Sequence, residues 1–305
     1  MTGVDNPPWR PLNERGNGSA GPRELVKGVP DYLAPTLRQW LFQAVAKDRG
    51  SDGPVTKRVG SDLLESLRLR LRNEVIYVDP GSSGLIREWL YQGDDLLVLV
   101  DAVLAIKEPL ANATDVAVQR ERVLWVIHVK ELGFRLAEAG SVWQVNRDLS
   151  GLEERVDGAV RSSVDAALAA ADDDTSTCLR KAWDKAYGLQ PDPSEAYSQA
   201  VKAVEAATIP VYLPGTPKPT LGTVLRKLEN SSSPYTLVVD AGDGTPAPAD
   251  PVVALMRLLW EGHRDRHPGG TTTKPITLES ARAAVQIAVL IVQLVVSGAV
   301  LIPSL

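Results

Sequence analysis

The sequence predicts a predominantly α-helical chain in two parts, an all-α class with minor extended pieces. Three observations carry that expectation. Apolar residues recur at three- and four-residue intervals through most of the chain, and strict alternation is rare. Clusters of Pro, Gly and Asp punctuate those segments in place of evenly spaced hairpin turns. The 305 residues are 44% hydrophobic and carry a net charge of −5, which suits about two domains with real cores.

Residues 1–30 are read as a disordered arm. They are rich in Pro, Gly and charge where a signal peptide needs an apolar run, so a cytoplasmic protein is expected. The first helical domain is placed at 31–178. Within 31–45, Leu37, Trp40, Leu41 and Val45 share one helical face. Residues 61–73 carry a Leu-Arg alternation from Leu67 that suits a strand. Leu63, Leu64, Leu67 and Leu71 also form a helical face, and Ser61 as a cap decides for helix. Helices follow at 83–91 and 94–107, the latter with Asp94 and Asp95 at the dipole-favoured end. The long segment 113–138 is a helix ended by Gly140, with Val123, Trp125, Val126 and Val129 as its apolar stripe. His128 inside it is read as a core or boundary histidine. A short strand at 141–146 and a helix at 150–171 complete the domain, and Asp172–Asp174 are read as a solvated helix end.

The second domain is placed at 179–300, with Pro191 and Pro193 marking its opening. Helices are expected at 193–207, 220–229, 251–263 and 278–297, with an extended piece at 209–214 and loops at 240–250 and 268–276. Lys202 and Glu205 are expected to pair on the solvent side. The last helix is uncharged from Ala283 onward and long enough to cross a bilayer. Thr277 as a cap, Glu279 in the first turn, Gly298 as a stop, and Gln286 and Gln293 on one face favour a bundle helix over a tail anchor, so no stable membrane association is expected.

Composition and motifs exclude much chemistry. A single cysteine, Cys178, excludes an intramolecular disulfide and any multi-cysteine metal site. The acidic balance excludes a polybasic coat, so a nucleic acid would need a local patch. The chain has no Gly-Lys-Ser/Thr phosphate loop, no Gly-x-Ser-x-Gly elbow and no His-Glu-x-x-His helix, and Gly81–Gly84 lacks the rest of a dinucleotide fingerprint. What stands out is MRLLWEGHRDRHPGG at 256–270, holding Arg257, His263, Arg264, Arg266 and His267. Cations at a helix C-terminus are favoured by the dipole alone. The sharper reading is an anion site, because Arg offers a planar fork to phosphate and His titrates near neutrality. Metal binding by His263 and His267 lacks a third ligand, and neither metal nor cofactor is expected.

The runs AWDKAYGLQPDPSEAYSQAVKAVEAATIPVYLP, TLGTVLRKLE and LLWEGHRDRHPGG, followed by a closing apolar helix, resemble the C-terminal domain of abortive-infection-like proteins of actinobacteria. Those look like members of the HEPN superfamily. The likeness covers about residues 180–298, and residues before it resemble the companion region of the same proteins. It implies a four-helix bundle, a homodimer, RNA as the candidate target, and a metal-independent ribonuclease site made of a helix-end Arg and a His after four to six intervening residues. Arg257 and His263, with five residues between them, fit that spacing. Their implied roles are phosphate stabilisation by Arg257 and proton acceptance from the ribose 2′-hydroxyl by His263. A second register matches His267-Pro268-Gly269 and pairs Arg266 with His267, which leaves Trp260 where an Arg is expected. The alternative the sequence leaves open is a non-catalytic RNA- or nucleotide-binding, or dimerising, module.

Overall fold

The computed structural model describes residues 25–49, 56–59, 61–71, 96–230, 235–263 and 275–301. The expected helix at 83–91, Trp89, Asp94, Asp95, and Arg264, Arg266 and His267 of the basic segment lie outside the described residues. The described residues are mainly helical, as the sequence predicts, and their strands form only small sheets. The chain divides into two compact units, with the division between Arg155 and Val156. The boundary expected after residue 178 falls inside a continuous helix, Asp173–Tyr187, of the second unit.

In the first unit, α1 spans Ala34–Val45, and a two-stranded antiparallel ribbon pairs β1 (Ala46–Arg49) with β2 (Thr56–Val59). Helix α2 spans Ser61–Leu71, α3 Leu96–Ala111 and α4 Gln119–Glu138, and a second ribbon pairs β3 (Trp143–Val145) with β4 (Leu152–Glu154). Helices α1, α3 and α4 pack on one another through Leu37, Leu41, Val100, Leu104, Val129 and Leu136, all fully buried. Gly140, with φ of 66°, takes the left-handed position that turns the chain out of α4.

Two polar devices lock this unit. The rings of Trp40 and His128 stack with centroids 4.9 Å apart. The Trp40 indole N–H donates to the His128 carbonyl at 2.9 Å, and His128 Nε2 lies 3.2 Å from the Trp40 carbonyl. Burial lowers the pKa of His128, as befits the core histidine expected from the sequence. Asp101, on α3, accepts the Leu152 N–H at 2.7 Å and so ties α3 to the second ribbon. Gly151 makes this approach possible, since a Cβ there would sit 2.7 Å from Asp101 Oδ1. Burial raises the pKa of Asp101 despite that bond and the nearby Arg70 charge.

The second unit contains α5 (Gly158–Ala170), α6 (Asp173–Tyr187), α7 (Pro193–Tyr212), α8 (Leu221–Glu229), α9 (Asp250–Gly262) and α10 (Leu278–Val296). A small antiparallel sheet, β6 (Pro246–Pro248), β5 (Thr236–Asp240) and β7 (Val300–Leu301) in that order, sits beside them. Helix α10 packs against α5, α6, α7 and α9. Its inward residues alternate small and branched (Ala281, Ala284, Val285, Ala288, Ile291, Val292), so neighbouring backbones approach closely and the contacts interdigitate. Gln286 donates to the Tyr187 hydroxyl at 2.9 Å and Gln293 to the Ser163 carbonyl at 2.7 Å. The two amides on one face are thus used inside the bundle. The Thr277 hydroxyl caps the helix by accepting from the Ser280 N–H. Among the described residues, α10 is the one helix long and apolar enough to cross a membrane, and eight of its residues are buried here.

Several expectations need correction. The acidic run at 172–174 begins a helix instead of ending one: Asp172 caps α6 by accepting the Thr175 N–H at 2.7 Å, and Asp173 and Asp174 occupy its first turn. The piece at 209–214 is not extended, because α7 continues through Pro210 to Tyr212, whose ring packs edge-on against Tyr235. Only 158–170 of the segment 150–171 is helical, its start being used by β4. Glu205 feels the charge of Lys202 as expected but is half-buried instead of on the solvent side: it accepts the Leu221 N–H at 2.7 Å, thereby capping α8, and burial raises its pKa against the pull of that bond and of Lys202. Of the stripe expected on α4, Trp125 and Val129 are buried, Val123 faces outward at 53% exposure, and Leu132 and Leu136 complete the inner face.

Candidate functional site

Of the four residues the sequence singles out, Arg257 and His263 are described, on the last two turns of α9 and at its C-terminal cap. Helix α9 is anchored by Val252, Met256 and Leu259, all buried. That spacing fixes the rotation of α9, and with it the direction of each polar side chain. Arg257 reaches the end of α8, where its guanidinium forms a salt bridge and hydrogen bond with the Glu229 carboxylate. The pair lies at the surface, with Arg257 about half exposed.

His263 follows six residues later, roughly 120° round the helix by the 3.6-residue repeat. Its ring stacks on that of Tyr197, on α7, with centroids 6.0 Å apart and planes 10° from parallel. Gly262 allows this approach: a Cβ there would lie 2.1 Å from the Tyr197 hydroxyl. That hydroxyl donates to the Leu258 carbonyl at 3.4 Å, a long bond to a carbonyl of the last helical turn. Arg257 and His263 therefore attend to different neighbours, Glu229 on α8 and Tyr197 on α7.

Beside the Tyr197–His263 stack opens a groove of about 550 Å³. One wall is Tyr197, Leu258 and Gly262; the other runs from Pro275 into the first turns of α10, with Thr277, Ser280 and Ile287. Its floor is mostly apolar, and three hydroxyls (Tyr197, Thr277, Ser280) stand at it. Arg257 and His263 are not among the described residues that line it. Gly262 and Pro275, which flank the basic segment in the sequence, both do. No group of three or more His, Cys, Asp or Glu side chains suited to a metal occurs among the described residues.

Sequence reasoning did not foresee Glu229 as the partner of Arg257, because nothing local marks a carboxylate 28 positions upstream. Tyr197 gave a faint signal as an aromatic on an otherwise Ala-rich helix face. No known protein family, no curated protein and no solved structure matches the chain.

Proposed function

We propose that the second unit is a HEPN-like module of a defence-type, abortive-infection-like protein, which binds an RNA or nucleotide phosphate at the C-terminal end of α9 without cleaving it. The observation that carries this reading is the division of labour between Arg257 and His263. A phosphodiester cleavage site needs a proton acceptor and a phosphate-stabilising cation on one reacting centre. Here the cation is engaged by Glu229 and the imidazole rests on Tyr197. Binding has weaker demands. Arg264, Arg266 and His267 lie in sequence between the two rims of the groove, and a local cluster of cations is enough to hold a phosphate. The same reading has the protein working in the cytoplasm as a homodimer through its bundle.

The test uses the full-length chain and a short single-stranded RNA, with binding followed at a series of salt concentrations and cleavage followed by gel. The expected result is binding that weakens steadily with salt, loses several-fold in Arg266→Ala, and leaves the RNA intact with or without EDTA. Cleavage that survives EDTA and disappears in His263→Ala or His267→Ala replaces this conclusion with a metal-independent endoribonuclease. No binding at low salt removes both.

A further inference from the structure

Helix α4 is apolar on two opposite faces. The inner one holds Trp125, Val129, Leu132 and Leu136 in the core of the first unit. On the outer one Val123, Leu124, Ile127 and Phe134 are exposed at 53%, 59%, 58% and 60%. At about 100 Å² for each such half-exposed large side chain, they present about 400 Å² of apolar surface, the size of the largest patch on an ordinary monomer, which is often functional.

The order of apolar and charged residues along this face is what sets how a partner helix can lie on it. Arg120, Val123, Ile127, Lys130, Phe134 and Ala137 follow one another at intervals of three and four, the seam of a two-stranded coil. We propose that this face pairs with the same helix of a second copy of the chain, antiparallel, about a two-fold axis between Ile127 and Lys130. The charges choose the direction. A parallel pair sets Arg120 against Arg120 and Lys130 against Lys130, two like-charge contacts at the seam. The antiparallel pair sets Val123 against Phe134 and brings Arg120 beside Ala137 and Glu138 of the other copy. Glu138, which also bonds Arg135 at 3.4 Å within its own helix, then completes a charge pair at each end. The two Lys130 side chains flank the axis in this arrangement, and they are accommodated only with their methylenes along Ile127 and their ammonium groups turned outward to solvent, away from each other.

Two such faces bring together about 800 Å² of apolar surface, and the flanking stems of Arg120, Lys130 and Glu131 carry the total to the roughly 1,000 Å² at which specific association begins. The pair is therefore weak and dependent on concentration. It uses residues of the first unit only, so its failure leaves the phosphate-binding conclusion untouched.

The experiment is disulfide trapping on the full chain in a Cys178→Ser background. Val123→Cys and Phe134→Cys proteins are made separately, and each is oxidised alone and in an equal mixture. The antiparallel pair predicts a cross-link between the two different proteins in the mixture and little within either alone. Arg120→Glu or Glu138→Arg reduces it several-fold, and the double exchange in one chain restores it. Self-cross-linking of Val123→Cys overturns the antiparallel arrangement. Absence of cross-links at all concentrations, or a thiol at position 123 shielded from maleimide in the monomer by the chain's own residues, overturns the pairing altogether.

Discussion

Gly262→Ala tests whether the groove wall is built as described. A methyl at this position meets the Tyr197 hydroxyl at 2.1 Å and the ring carbon bearing it at 3.1 Å. Tyr197 is only 5% exposed, so its ring can yield only toward the groove it lines, at the expense of its stack on His263. Overpacking of this severity costs about 3 kcal/mol, the upper part of the range for core insertions. Against it stands about 1 kcal/mol gained from replacing glycine in a helix. The net loss of about 2 kcal/mol lowers the melting temperature by about 4–8 °C for a unit of this size. Tyr197→Phe alone removes a 3.4 Å hydrogen bond and costs less than about 1 kcal/mol. Combined with Gly262→Ala, it removes the atom that clashes, so the double variant is more stable than the sum of the singles by about 1 kcal/mol. Thermal or urea unfolding of the four proteins completes the cycle. A Gly262→Ala protein as stable as the wild type, or a coupling of zero, refutes the close approach of Tyr197 and Gly262 and with it the stacking of His263.

Two further outcomes concern the first unit and follow from titration. The folded-state pKa of Asp101 is raised by burial, so its contribution is favourable while it is protonated and is lost as pH rises above its unfolded value. Asp101→Asn keeps an acceptor for the Leu152 N–H, and its melting temperature gains on the wild type as pH rises from the acid side, then levels once Asp101 is ionised; a difference independent of pH contradicts this. The pKa of His128 is lowered, so its contribution is present above the unfolded value of about 6.5 and lost as pH falls through the folded one. His128→Phe keeps the stack on Trp40 and flattens the loss of stability between neutral and mildly acidic pH, measured by thermal unfolding at fixed ionic strength.

The sequence made helix type and most caps legible wherever local chemistry decides them. Thr277, Gly298 and Gly140 act as stops and starts because a hydroxyl or a left-handed backbone is needed there whatever surrounds it. Leu37, Trp40, Leu41 and Val45 are buried as their spacing predicts. What failed was decided at a distance. Whether Asp172–Asp174 end one helix or begin the next depends on which amide the Asp172 carboxylate reaches, and composition is the same for both. Pro210 discourages helix locally, yet Tyr212 gains a buried place against Tyr235 that holds the last turn of α7 together. On α4 two apolar stripes compete for the core, and the periodicity alone ranks neither. In the candidate site, the location of Arg257 and His263 at the end of α9 was legible; that Glu229 and Tyr197 draw them apart was not, since both partners come from other helices.

The central place of α10 also has a bearing on how the chain comes into being. Four helices of the second unit, α5, α6, α7 and α9, are made before the one they share as a packing partner, so during translation the faces they turn to it stand uncovered. At 5–20 residues per second, the wait from the start of α5 to the end of α10 is on the order of ten seconds. Over that interval those faces are open to aggregation, and a product cut short before Leu278 keeps them uncovered for good.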